Sequence, residues 1–259
     1  MRAWSQSANA GIRFFLAPEC AACHDALVRP LDGPVCLACW LAVSRLTPPC
    51  CTRCGDALPQ ADPPDALCSR CRHAGGLVSL ARSAGRYDGS LRQIVHAFKY
   101  RGRRALAAPL AALMLAAGSE VLADADAVVP VPLHPWRAWR RGFNQADDLA
   151  RGLGRPVWRV LRRRRHGRPQ AGLPAADRHA NVRDAYALTR RPLAARRIRG
   201  RVVVLIDDVM TTGATLEACA DVLTAAGVRS VRALTIARAV VGPHAPPPPT
   251  PRPSTAPRR

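Results

Sequence analysis

The stretch Val202-Val-Val-Leu-Ile-Asp-Asp-Val-Met-Thr-Thr-Gly-Ala-Thr215 decides the fold. Val202 to Ile206 is a β-branched and aliphatic run, the pattern of a strand buried on both faces of a parallel sheet. Two adjacent carboxylates, Asp207 and Asp208, close the strand in this reading, and a loop of hydroxyls around a single glycine follows. Leu216 to Ala226 then has helical composition. A buried strand, a short polar loop and a helix start form an anion site, because the loop amides and the first free N–H groups of the helix converge on one spot. Gly213 lets the backbone approach closely, and Thr211, Thr212 and Thr215 add hydroxyl donors. Asp207 and Asp208 would repel a phosphate. Their partners are sugar hydroxyls or a divalent cation. A loop that holds both a phosphate and a ribose diol points to a 5-phosphoribosyl group. An ordinary nucleotide-binding turn is the less specific reading, and the paired acids with three threonines weigh against it.

Outward from this loop, apolar strands alternate with helices. Leu77 to Tyr87 reads as a strand or hairpin, Leu91 to Tyr100 as an amphipathic helix, and Leu106 to Ala117 as a helix of Ala and Leu. Ala127 to Val131 is a short strand closed by prolines, Ala146 to Gly152 is helical, and Val231 to Ala237 is a further strand. This alternation predicts an α/β fold with a parallel sheet and helices on both faces. Residues 77–241 form that domain in this reading. Residues 1–16 are expected to be a flexible N-terminus, and the Pro- and Arg-rich residues 242–259 a disordered tail. At 259 residues the chain has room for one such domain and a small appendage.

The appendage is written in cysteines. Four Cys-x-x-Cys pairs follow one another: Cys20/Cys23, Cys36/Cys39, Cys51/Cys54 and Cys68/Cys71. Two thiolates at that spacing turn onto one tetrahedral ion, whereas a disulfide between them would be strained. Twelve residues separate the first two pairs and thirteen the last two, so residues 17–74 read as two successive zinc ribbons holding two structural Zn2+ ions. Metal binding would supply most of the folding energy of so proline-rich a segment. Cys50 is a spare thiol or a substitute ligand, Cys219 a packing residue, and His24 and His73 are bystanders beside the thiolates.

Charge sets the partners. Thirty-nine Lys and Arg residues face eighteen acids, for a net charge of +21, and Lys99 is the only lysine. Such a balance predicts attraction to polyanions, either pyrophosphate compounds or nucleic acid. After the Ala127 to Val131 strand, the turn through Pro132, Leu133 and His134 enters a cluster of Arg137, Arg140 and Arg141. In an open α/β sheet such a turn faces the crevice beyond the strand ends, where guanidinium groups suit pyrophosphate; a solvated basic turn is the alternative. A further basic segment, from Arg162-Arg-Arg-Arg165 to Arg183, reads as a mobile lid or an exposed nucleic-acid contact. No apolar run approaches the ~18–20 residues that span a bilayer. Met1 to Arg13 lacks an apolar core followed by a small-residue cleavage site, so a cytoplasmic protein is expected.

The Val202–Thr215 stretch resembles the phosphoribosyl-pyrophosphate signature of the type I phosphoribosyltransferases: four apolar residues, two acids, two variable positions, then Thr-Thr-Gly-x-Thr. With the ribbons, and with His96-Ala-Phe-Lys-Tyr-Arg-Gly102, Val131-Pro-Leu-His-Pro135, Arg141-Gly-Phe-Asn-Gln145, Gln170-Ala-Gly-Leu173, Arg178 and Asn181-Val-Arg183, residues 18 to 240 are similar to the ComF family. The resemblance implies a double zinc ribbon joined to a phosphoribosyltransferase-like domain. It places Asp207 and Asp208 on the ribose hydroxyls and Thr211, Thr212, Gly213, Ala214 and Thr215 on the 5-phosphate. Val131, Pro132 and Leu133, with Arg137 or Arg141, would meet pyrophosphate. The implied ligand is phosphoribosyl pyrophosphate with Mg2+, and the implied setting is DNA uptake in natural transformation.

No side chain stands out as an acid, base or nucleophile, so the candidates are binding residues. The leading reading is a Mg2+-dependent phosphoribosyltransferase that works by positioning and charge stabilisation. The competing reading is a non-catalytic module that binds single-stranded DNA or senses a nucleotide. It would need aromatic platforms, for which Trp136, Trp139 and Phe143 are the candidates. A purely structural zinc adaptor leaves the phosphoribosyl loop without a purpose.

Overall fold

The computed structural model describes residues 18–63, 65–73, 75–164, 185–190 and 194–239. Residues 1–16, the tail from 242, Gln170 to Leu173, Arg178 and Asn181 to Arg183 lie outside these. The core is a four-stranded parallel sheet in the order β1-β6-β5-β2. Its strands are β1 (Val78–Arg86), β2 (Ala127–Pro130), β5 (Val202–Met210) and β6 (Ser230–Arg238). β5 lies in the interior, paired with β2 on one side and β6 on the other, and this explains its continuous apolar run. Leu77 to Tyr87 forms one strand, paired in parallel with β6, and not a hairpin. A separate antiparallel pair joins β3 (Leu161–Arg163) to β4 (Tyr186–Leu188). Arg162 and Arg163 therefore belong to a strand, where the glycines, prolines and polar residues of the segment predict a mobile loop.

The helices are α1 (Leu37–Leu41), α2 (Ser69–His73), α3 (Gly89–Tyr100), α4 (Ala107–Ala117), α5 (Ser119–Leu122), α6 (Pro135–Arg141), α7 (Gln145–Arg151), α8 (Ala194–Ile198) and α9 (Ala214–Ala225). They cover both faces of the sheet. Val204 and Ile206 of β5 share one core with Leu91, Ile94 and Phe98 of α3, Leu110 and Met114 of α4 and Leu149 of α7. Val203 and Leu205, one residue out of phase, share the other with Leu216 and Leu223 of α9 and Ile198 of α8. α3 is amphipathic and buries Leu91, Ile94, Val95 and Phe98 completely. Each of these side chains contributes roughly 1.5–3 kcal/mol. α7 starts at Asn144, whose side chain accepts the N–H of Ala146 at 3.1 Å.

The cysteine segment is not strung beside this core but belongs to it. Cys20, Leu27, Val35, Cys39 and Val43 pack in the same cluster as α3 and α4. Cys51 and Cys54 pack with Val78, Leu216 and Ala218 on the opposite face.

Candidate functional site

β5 runs four residues further than its apolar stretch, to Met210. Asp207 lies opposite Thr235, Val209 opposite Ala237 and Met210 opposite Arg238, so the acids lie inside the strand, where the sequence has them close it. Alternation along the strand sends them to opposite faces. Asp208 faces α3, where its Oδ1 lies 2.8 Å from Lys99 Nζ; the two side chains are 13% and 14% exposed. Asp207 faces the other side, where its charge is felt by Tyr186 and by Cys219 of α9. Its Oδ1 accepts the backbone N–H of Asp208 at 2.8 Å. Burial and the adjacent Asp208 push its carboxyl up to about 7, against the pull of that N–H and of Lys99.

The loop proper is Thr211 to Gly213, and α9 opens at Ala214, two residues earlier than its apolar pattern indicates. Gly213 is buried with a left-handed φ of 84°, and the Cε of Met210 lies 3.1 Å from where a Cβ would stand. Only glycine takes this conformation freely. Thr211 and Thr212 are exposed and Thr215 is half-buried. The Thr212 hydroxyl lies 3.4 Å from the N–H of Ala214. Hydroxyls and amides thus gather at the N-terminus of a twelve-residue helix.

Residues distant in sequence converge on the same strand end. The N–H of Val131 donates to the carbonyl of Ile206 at 2.9 Å, which sets the Val131–Leu133 turn beside Asp207. Asn144 Nδ2 donates to the Val131 carbonyl at 3.1 Å. Arg141 stacks over Tyr100, 4.6 Å from the ring centroid, and donates to Gln145 Oε1 at 3.1 Å. Gln145 is buried, yet its Nε2 has no hydrogen-bond partner among the described residues. Arg141 therefore stands against the residue that follows Lys99. The side chain of Arg137 lies outside the described residues. Lys99 lies within the His96–Gly102 stretch with no role legible from sequence, and its standing as the one lysine of the chain is the signal that marks it.

Each set of four cysteines draws together, Cys20, Cys23, Cys36 and Cys39 in one cluster and Cys51, Cys54, Cys68 and Cys71 in the other. Within each the sulfurs lie within 4.8 Å of one another. Cys23 and Cys36 Sγ are 3.9 Å apart, and Cys54 and Cys68 Sγ 3.7 Å. Four thiolates at the Zn–S distance of about 2.3 Å in a tetrahedron stand roughly 3.8 Å apart, so both clusters fit a structural zinc ion. Backbone N–H groups of Ala22 and Cys36 donate to Cys20 Sγ at 3.4 and 3.3 Å. Burial raises the Cys20 and Cys51 thiols, but surrounding backbone N–H groups outweigh it and bring each to about 6, which favours the ligating thiolate. Cys50 is outside both clusters and donates to the Thr47 carbonyl, and His24 and His73 are also outside them.

The second cluster touches the Thr211–Gly213 loop. Arg238, at the end of β6, is buried and bonds Asp56 Oδ1 at 2.8 Å, the Cys54 carbonyl at 3.0 Å and Met210 Sδ at 3.1 Å. Arg70, between Cys68 and Cys71, donates to the Thr212 carbonyl at 3.4 Å. A cavity of about 840 Å³ lies between this ribbon and α9, lined by Arg53, Arg70, Met210, Gly213 and Glu217 among others.

Comparison with known proteins agrees with both halves. Residues 11–72 match the double zinc ribbon domain and residues 139–246 the phosphoribosyl transferase domain. The chain is 34% identical over 167 residues to "Competence protein F" of Haemophilus influenzae, covering 60% of this chain and 71% of that one. It is 33% identical over 214 residues to "DNA utilization protein YhgH" of Salmonella typhimurium, covering 79% of this chain and 90% of the relative. The chain belongs to the ComF family. A third ComF relative, "Competence protein ComFC" of Bacillus subtilis, is 30% identical over 220 residues, covering 82% of this chain and 87% of the other. Among the described residues of this ComF protein, no helix is long and apolar enough to cross a membrane.

Proposed function

We propose that this chain is a phosphoribosyltransferase that takes phosphoribosyl pyrophosphate with Mg2+. The observation that carries the reading is the end of β5, where an acid pair runs straight into a threonine loop with a left-handed glycine at the start of α9. Thr211, Thr212, Gly213, Ala214 and Thr215 would hold the 5-phosphate, and Asp207 and Asp208 the ribose hydroxyls. Val131, Pro132 and Leu133 with Arg137 and Arg141 would receive the pyrophosphate. A nucleophilic acceptor would attack C1 as the C1–O bond to pyrophosphate breaks, and pyrophosphate would leave with the bonding pair. Magnesium bound with the substrate would supply charge neutralisation at that leaving group. This chain's part is to position the sugar and to meet the developing charge with guanidinium groups.

Calorimetric titration with phosphoribosyl pyrophosphate and Mg2+, followed by a pyrophosphate-release screen over nucleobases, tests the reading. Failure of the zinc-loaded protein to bind at millimolar ligand ends it. Binding without release over any acceptor would recast the site as a sensor.

One observation favours a second reading, a surface for single-stranded DNA. Trp136 and Trp139 on α6 are 57% and 82% exposed, and Arg140 lies 5.5 Å from the Trp136 ring centroid. Exposed aromatic faces interleaved with guanidinium groups are what base stacking along a strand requires. The DNA-related names of the relatives agree with this, and the two functions can share one molecule. A cytoplasmic site of action completes the proposal.

A further inference from the structure

The acid pair has two candidate partners, a sugar diol or a divalent cation, and the structure distinguishes them. Magnesium demands near-octahedral oxygen coordination. Asp208 Oδ1 is engaged by Lys99 at 2.8 Å, and Asp207 Oδ1 by the Asp208 N–H at 2.8 Å. Alternation along β5 sends the two carboxylates to opposite faces. Among the described residues the groups of three or more metal-ligating side chains are the two cysteine tetrads, so no histidine or further carboxylate joins the acids. This pair does not fit a magnesium ion.

We propose that Lys99 is the built-in counter-ion of Asp208, standing where a divalent cation would otherwise be required, so that Asp208 receives a ribose hydroxyl without metal. The inference rests on the phosphoribosyl reading above and narrows it: Asp208 needs no magnesium of its own. Three features argue for it. Lys99 is the one lysine in a chain whose other side chains of this class are arginines. A guanidinium forks onto both oxygens of a carboxylate, whereas a compact ammonium engages one and leaves the second open to a hydroxyl. Lys99 is also held in place: it sits in the last turn of α3, and Leu91, Ile94, Val95, Ala97 and Phe98 of that helix are all fully buried. Finally, a pair only 13–14% exposed is little screened by solvent, so the charge it neutralises would otherwise repel an anionic sugar phosphate. Lys99 acts through Asp208 and is a positioning residue.

The test uses ribose 5-phosphate, which carries the diol and the phosphate but no pyrophosphate. It is titrated into zinc-loaded full-length protein in magnesium-free buffer without chelator, and again with added Mg2+. Wild type is expected to bind equally well in both, within about twofold. Lys99→Met should lose roughly tenfold or more without Mg2+ and regain much of it when Mg2+ is added. Lys99→Arg should bind weakly in both buffers, because its fork covers the carboxylate. Unchanged zinc content and far-UV circular dichroism establish that the variants are folded. The proposal is overturned if wild type itself requires Mg2+ for ribose 5-phosphate, or if Lys99→Met binds like wild type without it. Absence of binding to both ribose 5-phosphate and phosphoribosyl pyrophosphate in every buffer overturns the phosphoribosyl reading instead, and the inference with it.

Discussion

Arg238 Nη2 lies 3.5 Å from the Sγ of Cys54, so the last residue of β6 touches a ligand of the second cysteine tetrad. A guanidinium 1% exposed inside a core is tolerated only where negative charge surrounds it. Asp56 supplies part of that charge, and the second cysteine tetrad, which fits a zinc ion, would supply the rest as thiolates. The same guanidinium pins Met210, whose Cε lies under Gly213. A continuous path of contacts therefore joins the second cysteine tetrad to the Thr211–Gly213 loop.

Removing that charge should unbalance both ends. Arg238→Met is expected to lower stability by about 3–5 kcal/mol, the range for breaking a buried ion pair, and to leave the second tetrad short of zinc. Thermal denaturation and elemental analysis read the two effects. A variant with wild-type melting temperature and full zinc content would show that Arg238 is only filling space.

The ribbons should empty separately. Purified protein is expected to carry about two equivalents of zinc per chain. Cys20→Ser and Cys51→Ser should each lose one of them. Cys51→Ser should also weaken phosphoribosyl binding through Met210 and the Arg70 contact to Thr212. Equal zinc loss from both tetrads in either variant would mean that the two sites fold as one.

The phosphate loop has a steric test of its own. Gly213→Ala must place a Cβ 3.1 Å from Met210 Cε at a φ of 84°. The conformation alone should lower stability by about 1–2 kcal/mol. Phosphate affinity should fall with it, whereas Thr211→Ala, at an exposed position, should weaken the ligand without touching stability, and Thr215→Ala should also lose a contact to Tyr186. Calorimetry on all three, beside melting curves, separates backbone geometry from hydroxyl donors.

Asp207 gives a pH signature. Its unfolded carboxyl titrates near 4. In the fold, burial and then Asp208 raise it to about 7, and Lys99 from α3 opposes them. The native state therefore holds a proton that the unfolded chain has released, and this contribution is lost as pH rises from about 4 through 7. Asp207→Asn, which cannot ionise, should gain on wild type over that rise and level off above it. Melting temperatures of the two proteins from about pH 5.5 to 8, a range that spares the zinc thiolates, measure the difference. A gap that stays constant with pH would refute the shift.

Much of this architecture is legible in the sequence, and the gaps have physical reasons. The cysteine spacing names both tetrads, because two ligands three residues apart and a matching pair some fifteen residues on leave little freedom in which sulfurs meet. Val202 to Ile206 reads as an interior strand because apolar residues occupy both of its faces. Its continuation to Met210 is not legible locally: carboxylates are poor strand residues, and it is the ladder to Thr235, Ala237 and Arg238 that keeps them extended. Arg162 and Arg163 hide β3 for a similar reason. A basic run reads as solvated, yet Arg163 lies 5.5 Å from the ring centroid of Tyr186 on the paired strand. Arg238 closes an ordinary apolar run, and its partner Asp56 is 182 positions away, so nothing near it in sequence announces the contact. The partnership of Lys99 with Asp208 is likewise a product of packing, which brings the last turn of α3 over the end of β5.

The sheet order has a consequence for how the molecule is made. β1 borders the sheet and its hydrogen-bonded neighbour is β6, with Val78 aligned to Val231. During synthesis from the N-terminus, β1 leaves the ribosome long before its partner exists, and its exposed edge must wait through the translation of α3 to α9. The cysteine clusters precede it and need only short-range closure around a metal. Zinc capture can thus come first on the nascent chain, giving β1 a folded support at its start. The pairing with β6, of high contact order, completes the sheet at the end and sets the pace of maturation.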